Sequence, residues 1–304
     1  MYLTTLFNSL LALFLLVLSG YSIKKMNIIS DKTIDELSNV LLKIILPCQI
    51  ISSGFNGKGN NVKNVAFAFL IISLCYVFFL IFSFIVFKSI VKDKGRRNVA
   101  VNMCVFANTG FIGFPLTQVL FGSEGMLYAV IYNLLYNVFM YTCGLRLFDE
   151  ERSEKGGLKK MLVDPLIISS VVSIALFLFG IENGGVVESF FSSLGNMAGP
   201  LSMMLVGSWL VGLDVMNILK KPICYIVSLL RLLVLPLLVY LVLSLITIDT
   251  VMRNTIVLIS ALPVGTLNVI LAKKYGKDGK FANEATMQTL VFSVITIPFI
   301  VLLF

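Results

Sequence analysis

Histidine is absent from this chain of 304 residues, and the charged residues Asp, Glu, Lys and Arg make up only 13% of it. Without histidine, neither histidine-dependent metal sites nor histidine acid–base catalysis is available. The five cysteines lie in or beside apolar segments and form no CxxC pair, so no disulfide framework is indicated. The phosphate-binding motif GxxxxGK followed by Ser or Thr is also missing, which argues against an ATP-driven pump. We therefore expect no cofactor and no metal.

The chain is rich in long apolar runs. Apolar residues make up 58% of it, and its mean hydropathy is +0.96. Apolar windows of about 20 residues are typical of membrane-spanning helices, because backbone polar groups in a bilayer must be satisfied within the segment. The sequence predicts an all-α integral membrane protein with ten transmembrane helices. Their approximate ranges are 4–22, 34–54, 65–87, 98–121, 125–146, 165–181, 189–213, 223–247, 253–272 and 282–304.

Basic residues are distributed unevenly over the loops between these segments. The loops after the odd-numbered spans hold 19 Lys and Arg residues, and the loops after the even-numbered spans hold three. By the positive-inside rule, the odd loops lie in the cytoplasm and both termini lie on the extracytoplasmic side of the plasma membrane. This topology accounts for the formal charge of +8, so no nucleic-acid partner is expected.

The two halves of the chain look related to each other. FGSEG at 121–125 is matched by YGKDG at 275–279, and NTG at 108–110 shares its glycine spacing with PVG at 263–265. Each half holds five spans, so the second copy would enter the membrane inverted, as in many transporters. The predicted organisation is a first five-helix repeat at 1–148, a cytoplasmic linker at 149–163 and a second five-helix repeat at 164–304.

The fourth and ninth predicted spans contain helix-breaking residues near their centres. The fourth reads NTGFIGFP at 108–115, and the ninth reads SALPVGTLN at 260–268. Gly, Pro and Asn weaken a helix, and non-helical backbone at this depth is tolerated only inside protein or against a wet cavity. We expect half-helices to begin near Gly110 and Val264 and to present free N–H groups to an anion. Neither span has a charged residue near its break, so a carboxylate would be held without a buried Arg or Lys.

Six stretches together carry a resemblance to a known family. They are GYSIKK (20–25), LSNVLLKIILPCQI (37–50), NTGFIGFPL (108–116), DPLIIS (164–169), AGPLSMMLVGSWL (198–210) and LPVGTLN (262–268). In this order and spacing they resemble the auxin efflux carrier family, which includes plant auxin carriers and bacterial organic-acid carriers. The resemblance implies inverted repeats whose broken helices 4 and 9 cross at the substrate site. It also implies a scaffold of helices 1, 2, 6 and 7 that mediates homodimer formation, and a moving transport unit of helices 3–5 and 8–10.

The resemblance implies that Asn108 contacts the substrate and that Pro263 is the crossover proline. Ala107 and Asn268 stand where the plant proteins have prolines, which favours a small organic acid over auxin as substrate. The candidate substrate-binding residues are Asn108, Thr109, Gly110, Pro263, Val264, Gly265 and Asn268. The candidate crossover or structural residues are Gly113, Pro115, Pro47 and Pro200.

Four charged residues in or beside the spans need an interpretation. Lys43 and Arg231 lie well inside their spans, where a long basic side chain either snorkels or takes part in substrate access or interdomain contact. Asp164 precedes Pro165 and is predicted to cap a helix. Glu284 is placed in the first turn of the last span, where a carboxylate interacts favourably with the helix dipole. It is also the leading candidate for proton coupling, with Lys43 as a second candidate.

The leading functional hypothesis is a secondary transporter that moves a small organic anion by alternating access. The resemblance implies a mono- or dicarboxylate such as malate or malonate. A passive anion channel and a non-transporting membrane sensor with the same fold stay open as alternatives. An intramembrane enzyme is not indicated, because the sequence has neither a pair of membrane-embedded aspartates nor a Ser–His arrangement. The expected partners are the organic anion, the lipid bilayer and a second copy of the chain.

Overall fold

The structure is a computed structural model that describes residues 2–55, 62–148, 162–181, 184–212 and 221–304. Of the predicted linker at 149–163, all but the last two residues lie outside these ranges. The described elements are helices, and no β-strand occurs among the described residues. They are α1 Tyr2–Lys25, α2 Asp31–Gly54, α3 Val62–Ile90, α4 Lys94–Val105, α5 Thr109–Phe148, α6 Pro165–Leu178, α7 Gly185–Gly195, α8 Ala198–Trp209, α9 Pro222–Ser244, α10 Thr250–Ser260, α11 Leu267–Lys274 and α12 Gly279–Val301.

Length and hydropathy show which helices suit a bilayer. Within the part of the chain that the structure describes, five helices are long and apolar enough to cross a membrane: α2, α3, α5, α9 and α12. On α3, large apolar side chains face outward, as expected for a helix against lipid. They are Phe67, Leu70, Leu74, Val77, Phe78, Ile81, Phe84 and Ile85. The fold is that of an all-helical, multi-pass membrane protein, and the arrangement of ten spans in two inverted repeats stays a prediction.

The predicted boundary between the fourth and fifth spans coincides with a kink in α5. The windows 98–121 and 125–146 predict a division at about 121–125, and the backbone of α5 leaves helical geometry there, at Gly122, where φ is 62° and ψ is −153°. Glycine adopts such a positive φ without steric cost, so two helical segments meet at this kink. The glycine matched with it in the second half, Gly276, also has a positive φ, of 61°. The predicted span 189–213 is divided into α7 and α8.

Aspartate side chains mark the beginnings of several helices. Asp93, Asp164, Asp249 and Asp278 each accept a hydrogen bond from a backbone N–H in the first turn of the helix that follows. This satisfies one of the donors that a helix start leaves without an intrahelical acceptor. The predicted capping role of Asp164 is confirmed, since its Oδ1 lies 2.8 Å from the N of Leu166.

The chain divides into two compact units. Unit 1 consists of Met1–Ala66, Gly110–Leu134 and Val163–Leu213, and unit 2 consists of Phe67–Thr109, Leu135–Leu162 and Asp214–Phe304. Each unit therefore takes segments from both predicted repeats. Unit 1 contains α1, α2 and α6 to α8, which cover the spans that the resemblance assigns to the scaffold, and also Gly110–Leu134 of α5, which the resemblance assigns to the transport unit. The scaffold and transport roles stay predictions.

Glycines allow close approach of helices in unit 1. Gly20 of α1 lies against the main chain of Met204 in α8, and Gly207 of α8 lies against the main chain of Val17. The hydroxyl of Ser208 donates to the carbonyl of Gly20 at 3.2 Å. Small residues let membrane helices pack backbone to backbone, where dispersion and interhelical hydrogen bonds replace the hydrophobic effect.

Candidate functional site

The first interruption, residues 106–108, separates α4 from α5. Helix α4 ends at Val105, and α5 begins at Thr109 with a widened π-helical turn, Thr109–Gly113. Asn108 and Thr109 are buried, with 6% and 4% of their surface exposed. The break falls at the predicted place and lies inside protein, the only environment besides a wet cavity in which a membrane tolerates such backbone.

The second interruption, residues 261–266, separates α10 from α11. Helix α10 ends at Ser260, and α11 begins at Leu267 with Thr266 as the residue before its first turn. The sequence predicted a start near Val264, which is wrong by three residues. The reason is that residues 263–265 are extended and pair with the first interruption, so that helical geometry begins only beyond them.

The two interruptions pair with each other as a short antiparallel bridge, which we call the crossover. Ala107 faces Val264 in this bridge. The N–H of Asn108 donates to the carbonyl of Pro263 at 2.9 Å, and the N–H of Gly265 donates to the carbonyl of Phe106 at 3.0 Å. A Cβ on Gly265 would lie 2.8 Å from the main-chain oxygen of Ala107, so only glycine fits at this approach.

Two side chains from unit 2 secure the crossover. The amide nitrogen of Asn268 donates to the carbonyls of Phe106 and Gly265 at 3.0 and 2.9 Å. The hydroxyl of Thr289 accepts from the N–H of Val264 at 3.2 Å. Asn268 is fully buried, and its side-chain amide hydrogen-bonds one interruption to the other. Sequence reasoning missed Thr289, because a lone threonine in an apolar helix carries no signal of what it will contact.

The backbone hydrogen bonds correct the predicted source of anion-binding N–H groups. The N–H groups of Val264 and Gly265 are engaged within the crossover, so they are not free at a helix start as predicted. The N–H of Thr109 donates to the carbonyl of Ala107. Two N–H groups of unit 2 at the start of α11, those of Thr266 and Leu267, have no hydrogen-bond partner among the described residues. The amides that are available to bind an anion therefore lie at the start of α11, at Thr266 and Leu267, and not at Val264 and Gly265 as predicted.

Aromatic rings surround Phe106, whose carbonyl accepts two of these hydrogen bonds. Its ring stacks on Tyr76 at a centroid distance of 6.1 Å and meets the edge of Tyr136 at 5.4 Å. Tyr76 in turn stacks on Phe139 at 5.0 Å. Aromatic pairs at these distances add to the stability of a buried cluster, so the ring of Phe106 is held firmly beside the crossover.

For Arg231 the structure excludes snorkelling, one of the two alternatives that the sequence left open. Arg231 lies in the π-helical turn Leu230–Val234 of α9 and is completely buried, so it does not snorkel. Its Nε donates to the carbonyl of Leu262 at 2.9 Å, Nη1 to Cys104 at 3.0 Å and Nη2 to Ile259 at 3.2 Å. Although neither broken span has a charge of its own near the break, a buried arginine from α9 reaches both of them. It contacts carbonyl ends, not amide ends.

Other candidates belong to unit 1 and are not part of the crossover cluster in unit 2. Gly110 follows Thr109 directly, and a Cβ there would make ordinary contacts with the side chains of Leu42 and Leu46. The remaining four lie at helix starts or bends. Gly113 and Pro115 are buried at the start of α5, Pro47 follows a π-helical turn in α2, and Pro200 is exposed in the first turn of α8.

The two candidates for coupling lie in different settings. Lys43 is exposed, in the π-helical turn Leu41–Ile45 of α2. Glu284 is half-buried in α12. Its predicted place in the first turn is wrong, because Asp278 caps the helix and α12 begins at Gly279, one turn earlier than the predicted span. A coupling role for either residue stays a prediction.

Comparison with known proteins shows that the chain is similar to membrane transporters. The profile of a family described as "Membrane transport protein" matches residues 5–301. An uncharacterized transporter of Methanocaldococcus jannaschii is 27% identical over 298 residues, which cover 94% of this chain and 95% of the relative. An uncharacterized transporter of Methanothermobacter thermautotrophicus is 22% identical over 294 residues, covering 96% of each chain.

Proposed function

The chain belongs to the membrane transport protein family, to which the auxin efflux carriers belong, and from this premise we propose that it is a secondary carrier of a small organic anion. The anion is a mono- or dicarboxylate such as malate or malonate, and it moves by alternating access in an elevator-like cycle. The observation that carries the proposal is the crossover: two interrupted helices that pair inside unit 2, beside buried Asn108 and the free amides of α11.

Local electrostatics favour an anion at the start of α11. The amide end of a helix carries a partial positive charge, and free N–H groups there donate to carboxylate oxygens. The N–H groups of Thr266 and Leu267 lie at the start of α11, whereas the carbonyls that Arg231 contacts belong to α4, α10 and the second interruption. The guanidinium hydrogen-bonds to carbonyls, so amides and Asn108 are the proposed ligands of the substrate.

The small number and the type of these groups support the proposed substrate class. Amides and an asparagine hold a carboxylate with neutral donors, which gives modest affinity and allows release on the far side of the membrane. Ala107 and Asn268, which stand in place of the plant prolines, support a small acid over auxin. The proposal assigns ligand contacts to Asn108, Thr109 and the first turn of α11.

The grouping of α1, α2 and α6 to α8 in unit 1, separate from the crossover in unit 2, supports the elevator-like cycle. Unit 2 holds the crossover, so it would carry the substrate, and unit 1 would form the scaffold of a homodimer in the plasma membrane. The charge asymmetry of the loops supports the proposal that both termini lie outside the cytoplasm. Gly20 and Gly207, through which α1 and α8 pack closely, support a rigid unit 1.

Counterflow in liposomes tests the carrier function. Liposomes loaded with unlabelled malate or malonate and containing the purified protein should transiently accumulate the labelled acid above its equilibrium level. A carrier shows this effect because the loaded site must return with substrate, whereas a passive channel only equilibrates the label. Simple equilibration would favour the channel, and no uptake of any mono- or dicarboxylate would favour a non-transporting sensor.

Asn108→Ala tests the site. We expect the apparent dissociation constant for the carboxylate, measured by thermal shift, to rise at least about tenfold, because one polar contact worth about 1.4 kcal/mol is lost. Asn39→Ala is the matched control, since Asn39 is exposed in α2 and its side-chain amide donates to the carbonyl of Asp35 in the same helix. The site assignment is wrong if Asn108→Ala binds and transports like the unaltered protein.

A further inference from the structure

Three main-chain carbonyls from the two broken spans converge on one side chain. Cys104 lies in the last turn of α4, Ile259 lies in the last turn of α10, and Leu262 lies in the second interruption. Their oxygens accept hydrogen bonds from Nη1, Nη2 and Nε of Arg231 at 3.0, 3.2 and 2.9 Å. Because the three nitrogens belong to one planar guanidinium, the three oxygens surround a single position.

The carbonyl oxygens alone, without Arg231, create a negative electrostatic potential at this position. The last carbonyls of a helix lack a full set of intrahelical donors, and the C-terminal end carries a partial negative charge. The carbonyl of Ile259 accepts a backbone hydrogen bond from the N–H of Leu262 at 3.3 Å, and its second lone pair is available to Arg231. Here the ends of two helices, α4 and α10, contribute together. In interrupted membrane helices, unwound carbonyls and C-terminal helix ends coordinate monovalent cations. The arrangement is therefore a cation site by its chemistry.

We propose that these carbonyls form a cation site in which the guanidinium of Arg231 is the permanent occupant. A buried charge is costly unless hydrogen bonds and opposite charge compensate it, and the carbonyl ends supply both. The guanidinium fits because each of its three nitrogens donates to a different carbonyl. The side chain is tethered to α9, so this cation is not exchanged with solvent.

One consequence concerns ion coupling, and it rests on the proposed function. A carrier whose carbonyl ends require a free sodium ion binds substrate only when that ion is present. Here the charge is already in place, so assembly of the crossover needs no metal ion at this position. The existence of the cation site itself is independent of transport, which allows the two proposals to be tested separately.

The first experiment removes the guanidinium group from the cation site. Arg231→Ala leaves the carbonyls without their cation, so free guanidinium should bind and stabilise the purified variant. We expect its apparent melting temperature to rise saturably, by about 5 °C, at guanidinium concentrations near about 10 mM, far below the molar range at which guanidinium denatures proteins. The unaltered protein should show no such rise. Urea, a neutral molecule of similar planar shape, is the control for charge.

Two outcomes of that experiment would overturn the proposal. One is an equal response to urea and guanidinium, which would mean that charge is irrelevant. The other is a folded Arg231→Ala protein that no guanidinium or alkali cation stabilises. Arg231→Met, which fills the space without charge, should not respond, and a response equal to that of Arg231→Ala would also count against the site.

If Arg231→Ala does not fold, a second pair of variants tests whether the site requires a positive charge. Arg231→Lys keeps the positive charge, and Arg231→Gln keeps hydrogen-bond donors without charge. We expect the lysine variant to give at least about tenfold more folded protein by size-exclusion chromatography, because an ammonium group near carbonyl ends is favourable and a neutral amide is not. Equal yields from the two variants would overturn the proposal.

The consequence for coupling is tested on the unaltered protein. Counterflow of the carboxylate should proceed at the same rate in sodium, potassium or N-methylglucamine buffers of equal pH. A loss of rate of about tenfold without sodium would overturn the claim that Arg231 replaces a free ion, and would leave the carrier function intact. Absence of counterflow in every buffer would instead contradict the proposed function, while the thermal shifts of Arg231→Ala would still report on the site.

Discussion

Two segments of this molecule have nearly the same local design and opposite surroundings. In α2 the sequence Lys43-Ile-Ile-Leu-Pro47 follows the beginning of a π-helical turn, and in α9 the sequence Arg231-Leu-Leu-Val-Leu-Pro236 does the same. Each carries one basic residue in the turn and a proline just beyond it. Lys43 is exposed, whereas Arg231 is entirely buried.

The comparison separates local causes from tertiary ones. Proline lacks an N–H and clashes with the preceding turn, so a helix widens or bends before it in either segment. Whether the basic side chain is then buried depends on acceptors from elsewhere. In unit 2, Cys104 and Leu262 offer carbonyls to Arg231 from 127 and 31 residues away. Lys43 lies on the exposed side of its helix in unit 1.

Removing each basic group should give the largest contrast between the segments. We expect Arg231→Met to lower the free energy of unfolding by about 3 kcal/mol or more, because three buried carbonyls lose a charged donor. Lys43→Met should change it by less than about 0.5 kcal/mol, since Lys43 is exposed. Equilibrium unfolding of both purified variants in the same detergent measures the difference, and similar losses in the two would refute the distinction.

A glycine substitution in the crossover sharpens the comparison, because it disturbs the pairing of the two interruptions and leaves the Arg231 side chain unaltered. In Gly265→Ala the new Cβ would lie 2.8 Å from the oxygen of Ala107. We expect a loss of about 1–3 kcal/mol from this overpacking, together with weaker carboxylate binding. The measurements are thermal unfolding and ligand-induced thermal shift.

Gly199→Ala is the control for that experiment. Gly199 lies in α8, and a Cβ there would have open space. Replacing a helical glycine by alanine without a clash should leave stability unchanged or raise it by up to about 1 kcal/mol. If Gly265→Ala behaved in the same way, the close approach of the two interruptions would not contribute to stability.

The prolines should give the smallest effect. Pro47→Ala and Pro236→Ala restore an N–H to each segment, and we expect each to change the free energy of unfolding by less than about 1 kcal/mol. In α9 the hydrogen bonds of Arg231 hold the turn independently of the proline, so Arg231→Met should cost as much in the Pro236→Ala background as alone. A double-mutant cycle measures this. Strong coupling between Pro236 and Arg231 would mean that the burial of Arg231 depends on the proline.

Several features of the site could be predicted from the sequence because their causes are local. The breaks at Asn108 and Pro263 and the cap by Asp164 depend on residue types that act on their own backbone. The exact start of α11 could not be predicted. Pairing with the first interruption holds residues 263–265 extended, and this pairing joins segments more than 150 residues apart in the chain.

The sequence by itself determined where this protein departs from helical geometry and that it belongs in a membrane, because missing N–H groups, missing Cβ atoms and apolar length act at any position of a fold. Only the tertiary structure decided which amides stay available, that Thr289 supports the crossover and that Arg231 is buried while Lys43 is not. These outcomes depend on which acceptors meet a given donor, and the acceptors come from helices that only folding brings together.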